Sequence, residues 1–134
     1  MPLENITNIF ENSPYNKHLG IKFEKLEEDS IGCYIKITTS LLNVNKAVHG
    51  GVFFSILDSV MGATIRTVVN QPIVTVNMSI NYFAPLMNGE KMMATARILQ
   101  QGNSIVTAEG LVNDSKGSVV AKSIGTFKIM RMNR

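Results

Sequence analysis

The sequence predicts an α+β domain in which a curved antiparallel sheet of five or six strands wraps around one long central helix. Two observations carry this. The segment Val52 to Val69 is apolar over most of a helical circumference, with Asp58 and Arg66 as its charged residues, the pattern of a helix buried by other elements. After Asn70-Gln71-Pro72 the chain alternates between apolar and polar residues with a strand period, broken by short turns, as an antiparallel meander requires.

Leu3, Ile6, Ile9 and Phe10 follow a short helical pattern, which Ser13-Pro14 is expected to end. Gly20 to Leu26 alternates weakly, with Ile21 and Phe23 on one side. Ile31, Cys33, Ile35 and Ile37 alternate with Gly32, Tyr34, Lys36 and Thr38, a half-buried strand. Leu41 to Val48 reads as a loop with Asn43 and Asn45 as turn formers. The long helix is expected from Gly51 to about Val69. Val74, Val76, Met78, Ile80 and Tyr82 then alternate with Thr75, Asn77, Ser79 and Asn81, which predicts the first group on one face. Further strands are expected at about Lys91 to Leu99, Ser104 to Val112 and Ser118 to Met130. Gln101-Gly102-Asn103 and Asn113 to Gly117 are the turns.

A length of 134 residues predicts a single domain, 1–134, large enough for a core without disulfide or metal staples. Hydrophobic content of 45% against 17% charged excludes a disordered chain. Cys33 has no partner for a disulfide, so a reducing, cytoplasmic setting is expected, and its place in an alternating strand makes it a small core residue. The opening Met1-Pro2-Leu3-Glu4-Asn5-Ile6 lacks the basic and apolar regions of a secretory signal, and a span carrying Asp58 and Arg66 is not expected to cross a membrane. A scattered net charge of +3 does not support nucleic-acid binding but suits a phosphate-bearing ligand. Two histidines and one cysteine, none at ligand spacing, predict no metal, and no dinucleotide loop predicts a cofactor.

The chemistry concentrates in Ala47-Val48-His49-Gly50-Gly51 and Asp58. Adjacent glycines at a helix mouth leave backbone N–H groups open to an anion or oxyanion. An unpaired carboxylate in an apolar helix is costly to bury. If the helix starts near Gly50, Asp58 lies nine residues beyond His49, about half a rotation and roughly 13 Å along the axis. Gly50 and Asp58 of one chain then cannot meet around one atom, but they can across a twofold interface.

The order Asn43, His49-Gly50-Gly51, Asp58 and Val74 to Tyr82 resembles the hotdog-fold acyl-CoA thioesterases, most closely the phenylacetic-acid-degradation type, over about Leu19 to Met130. The resemblance implies hydrolysis of an acyl- or aryl-CoA to free acid and CoA without a cofactor. It implies that Asp58 is the nucleophile or general base and that the Gly50 N–H polarises the thioester carbonyl. Asn43 would hold water or carboxylate, His49 orient the glycine loop and Thr75 assist the attacking water. The site would be shared between subunits of a homodimer, paired into a dimer of dimers. Lys46 stands where many members of the family have glycine.

Taken singly, His49 is an ordinary hydrogen-bonded histidine, Asn43 a turn former, Thr75 a strand residue and Asp58 the solvated edge of a helix. Their order and spacing together favour catalysis. The alternative is a non-catalytic acyl-CoA-binding module of the same fold. A dehydratase or hydratase ranks below both, because the His-Gly-Gly then Asp pattern does not match the His and acid motifs of those enzymes. Phe53, Phe54, Met61, Tyr82 and Phe83 are candidates to line an acyl pocket, and most of the eight methionines read as core filler.

Overall fold

The computed structural model describes residues 2–27 and 30–131. Met1, residues 28–29 and residues 132–134, all within the expected domain 1–134, lie outside the described residues. The elements are α1 (Leu3–Glu11), α2 (Pro14–Leu19), β1 (Lys22–Lys25), β2 (Ile31–Lys36), α3 (Gly50–Val69), β3 (Ile73–Tyr82), β4 (Lys91–Gln101), β5 (Ile105–Asn113) and β6 (Val119–Ile129). A 3₁₀ turn at Thr39–Leu41 precedes the glycine loop. The strands form one antiparallel sheet in the order β1-β2-β4-β5-β6-β3. The expected α+β architecture is therefore present, with six strands.

α3 is long and apolar enough to cross a membrane, yet most of it is buried within the fold, against the sheet and α1. Ile56, Leu57, Val60, Met61 and Ile65 have essentially no exposure. The helix comes so close to β5 that a Cβ on Gly110 would lie 2.8 Å from Leu57 Cδ2, so a larger residue there would force the packed Leu57 side chain to shift. Cys33 is buried on β2 with Sγ 3.8 Å from the Ile56 carbonyl oxygen, and burial pushes its thiol pKa well up, as befits a packing residue. His18 is exposed on α2.

Two expectations need correction. Pro14 does not simply end the first helix; it opens a second. With no N–H to satisfy, proline suits the first position of a helix, and α2 starts at Pro14 and closes at Gly20, whose φ of 82° is the left-handed cap. Nor do Val74 and Val76 share a face with Met78, Ile80 and Tyr82. The β3–β6 register slips between Thr75 and Asn77: Thr75 pairs with Phe127, but Asn77 pairs with Thr126. Val76 is thus the extra residue of a β-bulge, which flips the parity of everything before it. Thr75 faces the helix with the buried Phe127, and Met78 faces it beside Gly125. Val74 and Val76 are left 46% and 58% exposed. β3 is also an edge strand, paired among the described residues with β6 alone.

Candidate active site

The glycine loop is built around Asn43. Its side-chain Oδ1 accepts from the N–H groups of Asn45 (2.8 Å) and Ala47 (3.1 Å), and its backbone N–H donates to Ala47 O at 2.7 Å. The amide Nδ2 makes no hydrogen bond among the described residues. This tight loop places Lys46 at φ 67°, in the left-handed region. A residue with a Cβ is disfavoured there by about 1–2 kcal/mol. Lys46→Gly is therefore expected to raise Tm by about 4 °C, the gain being reduced by the greater freedom of glycine in the unfolded chain. Thermal unfolding checks this, with Lys46→Ala, which keeps the strain and removes the charge, staying near wild type.

His49 is the N-cap of α3, with Nδ1 accepting from the Gly51 N–H at 2.8 Å. That bond requires a neutral imidazole with its proton on Nε2. A Cβ on Gly51 would sit 3.1 Å from Nδ1 and crowd the cap. The Gly50 N–H is left without a partner among the described residues, at the positive end of a helix of 20 residues. Tyr82 closes the other side of Gly50: its hydroxyl donates to Gly50 O at 2.9 Å, and its ring packs edge-on against Phe53. Gly50, Asn43, Phe53, Tyr82 and Phe83 border a cavity of about 430 Å³.

Asp58 lies two turns further along α3 and lines a different cavity, of about 330 Å³. Thr75 Oγ1 donates to Asp58 Oδ1 at 2.6 Å, a contact that exists because the bulge at Val76 turns Thr75 inward. Burial pushes the Asp58 carboxyl above the ordinary carboxylate range, and the Thr75 hydrogen bond opposes that rise by favouring the charged form. Oδ2 makes no hydrogen bond among the described residues.

The five predicted residues thus divide into two groups. Asn43, His49 and Gly50 stand together at the start of α3; Asp58 and Thr75 stand together in its middle. β3 touches both groups, Tyr82 at one end and Thr75 at the other. Of the aromatic and methionine candidates, Phe53, Tyr82 and Phe83 border the first cavity, whereas Met61 is core and Phe54 lines neither cavity.

Sequence reasoning missed a polar shelf that α2 contributes beside Asp58. The Tyr15 hydroxyl lies 2.8 Å from Ser55 Oγ, and the buried Asn16 accepts from Ser59 Oγ at 3.0 Å. Pro14 was the available signal, read as a stop where it marks a start.

Comparison with known proteins agrees with this architecture. Residues 45–121 match the family described as the Thioesterase superfamily. The mouse protein named acyl-coenzyme A thioesterase 13 is 33% identical over 92 residues, covering 67% of this chain and 66% of its own. The Escherichia coli acyl-coenzyme A thioesterase PaaI is 26% identical over 99 residues, covering 74% and 70%. The solved structure of the E. coli PaaI protein from the phenylacetic acid degradation operon superposes with a TM-score of 0.87 at 23% identity, covering 96% of this chain and 92% of that one. The chain therefore belongs to the thioesterase superfamily, as a thioester hydrolase on the hotdog fold.

Proposed function

We propose that the protein hydrolyses acyl- or aryl-CoA thioesters to free acid and CoA, at sites shared between the two subunits of a homodimer. The single observation that carries this reading is the division of the site. An unpartnered Gly50 N–H and the Asp58 carboxylate belong to one helix but border separate cavities. Eight residues of helix separate them by about 12 Å, too far to act on one carbonyl.

The open edge of β3 supports the dimer. Exposed edges are normally covered or paired, and this one carries exposed Val74, Val76, Tyr82 and Phe83 on and beside it. Antiparallel pairing of two β3 strands across a twofold would extend the sheet to twelve strands. It would also set the Thr75 end of one strand against the Tyr82 end of the other. Asp58 of one subunit would then face Gly50 of the next. In this reading such dimers pair again into a dimer of dimers.

The reaction follows from the residues. The Gly50 N–H binds the thioester carbonyl oxygen and stabilises it as it gains negative charge. Asp58 Oδ2 takes a proton from water, and the resulting hydroxide adds to the carbonyl carbon. The tetrahedral intermediate collapses, the carbon–sulfur bond breaks, and the thiolate of CoA recovers the proton from Asp58. Thr75 keeps Oδ1 occupied, so Oδ2 is the reacting oxygen. The free Nδ2 of Asn43 is a second donor at the Gly50 cavity, and His49 holds the loop that presents Gly50.

The test is free-thiol release from a panel of aryl, short, medium and long acyl-CoAs. Turnover without added cofactor is expected for some of them. Binding of CoA esters, seen as a raised melting temperature, with no thiol released from any of them would instead favour the non-catalytic binding module.

A further inference from the structure

Asp58, Gly62 and Arg66 recur every four residues on α3, so they share one face. All three line the 330 Å³ cavity. Between the two charged residues the cavity wall passes Gly62, where Phe10 and Ile73 pack close: a Cβ there would stand 3.4 Å from Phe10 Cε2 and 3.7 Å from Ile73 Cδ1. The far end of the cavity is unusual. Among the described residues the buried Arg66 Nε hydrogen-bonds to nothing and no carboxylate pairs with the guanidinium. A buried donor without an acceptor is costly and rare in a native fold. Arg66 also lines the cavity, so an acceptor for its guanidinium can come from a ligand bound there.

We propose that Arg66 selects acyl groups with a carboxylate at their far end, making half-thioesters of dicarboxylic acids the preferred substrate class. The inference deepens the proposed function and rests on it, because it takes Asp58 to mark the thioester end of the cavity. Asp58 and Arg66 are eight residues apart, a rise of about 12 Å. Long helical side chains lean toward the N-terminus, so the guanidinium reaches back toward Asp58 and leaves room for roughly six carbons. Phe10 and Ile73 give the wall apolar surface that suits methylene groups, beside the polar Asn16 and Ser59. At the end a planar guanidinium fits a carboxylate through two parallel N–H bonds, which an uncharged methyl terminus cannot use. The phosphates of CoA are a poorer occupant, since the pantetheine arm between sulfur and pyrophosphate is much longer than this cavity.

The experiment compares adipyl-CoA with hexanoyl-CoA, which match in length and differ in the terminal carboxylate. Binding to Asp58→Asn is measured by calorimetry, so that no ester is consumed. Adipyl-CoA is expected to bind at least ten-fold tighter, and Asp58→Asn with Arg66→Met to lose that preference. Arg66→Lys, which keeps the charge and loses the fork, is expected to restore part of it. Equal affinity for the two esters with Arg66 in place overturns the proposal. So does a loss in the Arg66→Met protein that is equal for both esters and for free CoA. Thiol release from adipyl-CoA and from hexanoyl-CoA by the unmodified protein is scored separately. A binding preference without any release leaves the selectivity standing and sinks the hydrolase reading; release with no preference does the reverse.

Discussion

Replacing Asp58 by asparagine is expected to lower kcat for acyl-CoA hydrolysis by about 10³-fold, within the range typical of a positioned general base. KM is expected to change little. Asparagine has the shape of aspartate, and its carbonyl oxygen can still accept the Thr75 hydroxyl now 2.6 Å from Oδ1. What disappears is the capacity to take a proton from water, which matters only as the transition state forms. Thiol release by the two proteins side by side checks this, and a variant as active as wild type would remove Asp58 from the mechanism.

The same substitution is expected to stabilise the fold at neutral pH. Burial raises the Asp58 pKa in the folded chain above its unfolded value. Between those two values the folded state holds the proton more tightly, so its stability falls as pH rises through that window. Above the window the folded protein carries a desolvated charge that asparagine lacks. The Tm of Asp58→Asn should therefore exceed wild type at pH 7, and the two should converge as pH falls below the ordinary aspartate value of about 3.9. Activity has the opposite dependence, because only the carboxylate is a base. The acid limb of kcat should thus lie above the ordinary carboxylate range. Thr75→Val, which removes the hydrogen bond favouring the charged form, should move that limb to higher pH still.

Much of this arrangement was legible in the residues, for reasons of period. α3 was visible because apolar residues fill most of its circumference, and His49 at its N-cap marks where it begins. The strands were visible because one side of each faces the core. Alternation cannot reveal a bulge: in Val74 to Tyr82 the apolar residues alternate without a break, while the chain inserts Val76 and turns Thr75 inward. The sequence pattern and the pairing register are different quantities, and the Thr75–Asp58 contact depends on the second. α2 was hidden by the double meaning of proline, which stops one helix and starts another. Arg66 was visible as a charge in an apolar helix, but its lack of a partner among the described residues depends on which residues the fold places around it.

Gly50→Pro is expected to cost about 10²–10³-fold in kcat, the usual loss when one oxyanion donor is removed. Proline deletes the N–H and little else here. Gly50 is the first residue of α3, where proline is favoured. His49 before it has φ −62° and ψ 138°, the extended conformation a following proline demands. The added Cβ meets the Tyr82 hydroxyl at 3.1 Å, which a small shift of that exposed ring relieves. Gly50→Ala brings the same Cβ but keeps the N–H, so the difference between the two variants isolates the donor.

Mixing the two inactive proteins tests where the site lies. If Asp58 and Gly50 act across a twofold, a mixed dimer of Asp58→Asn and Gly50→Pro subunits contains one site with both defects and one with neither. Random re-association of equal amounts makes half the dimers mixed, so activity should recover to about a quarter of wild type. A site confined to one chain predicts no recovery, because every chain in the mixture carries a defect. Recovery near a quarter would also give the twofold pairing of β3 a functional meaning: the edge strand that holds Thr75 on Asp58 and Tyr82 on Gly50 would be the element that brings the two half-sites together.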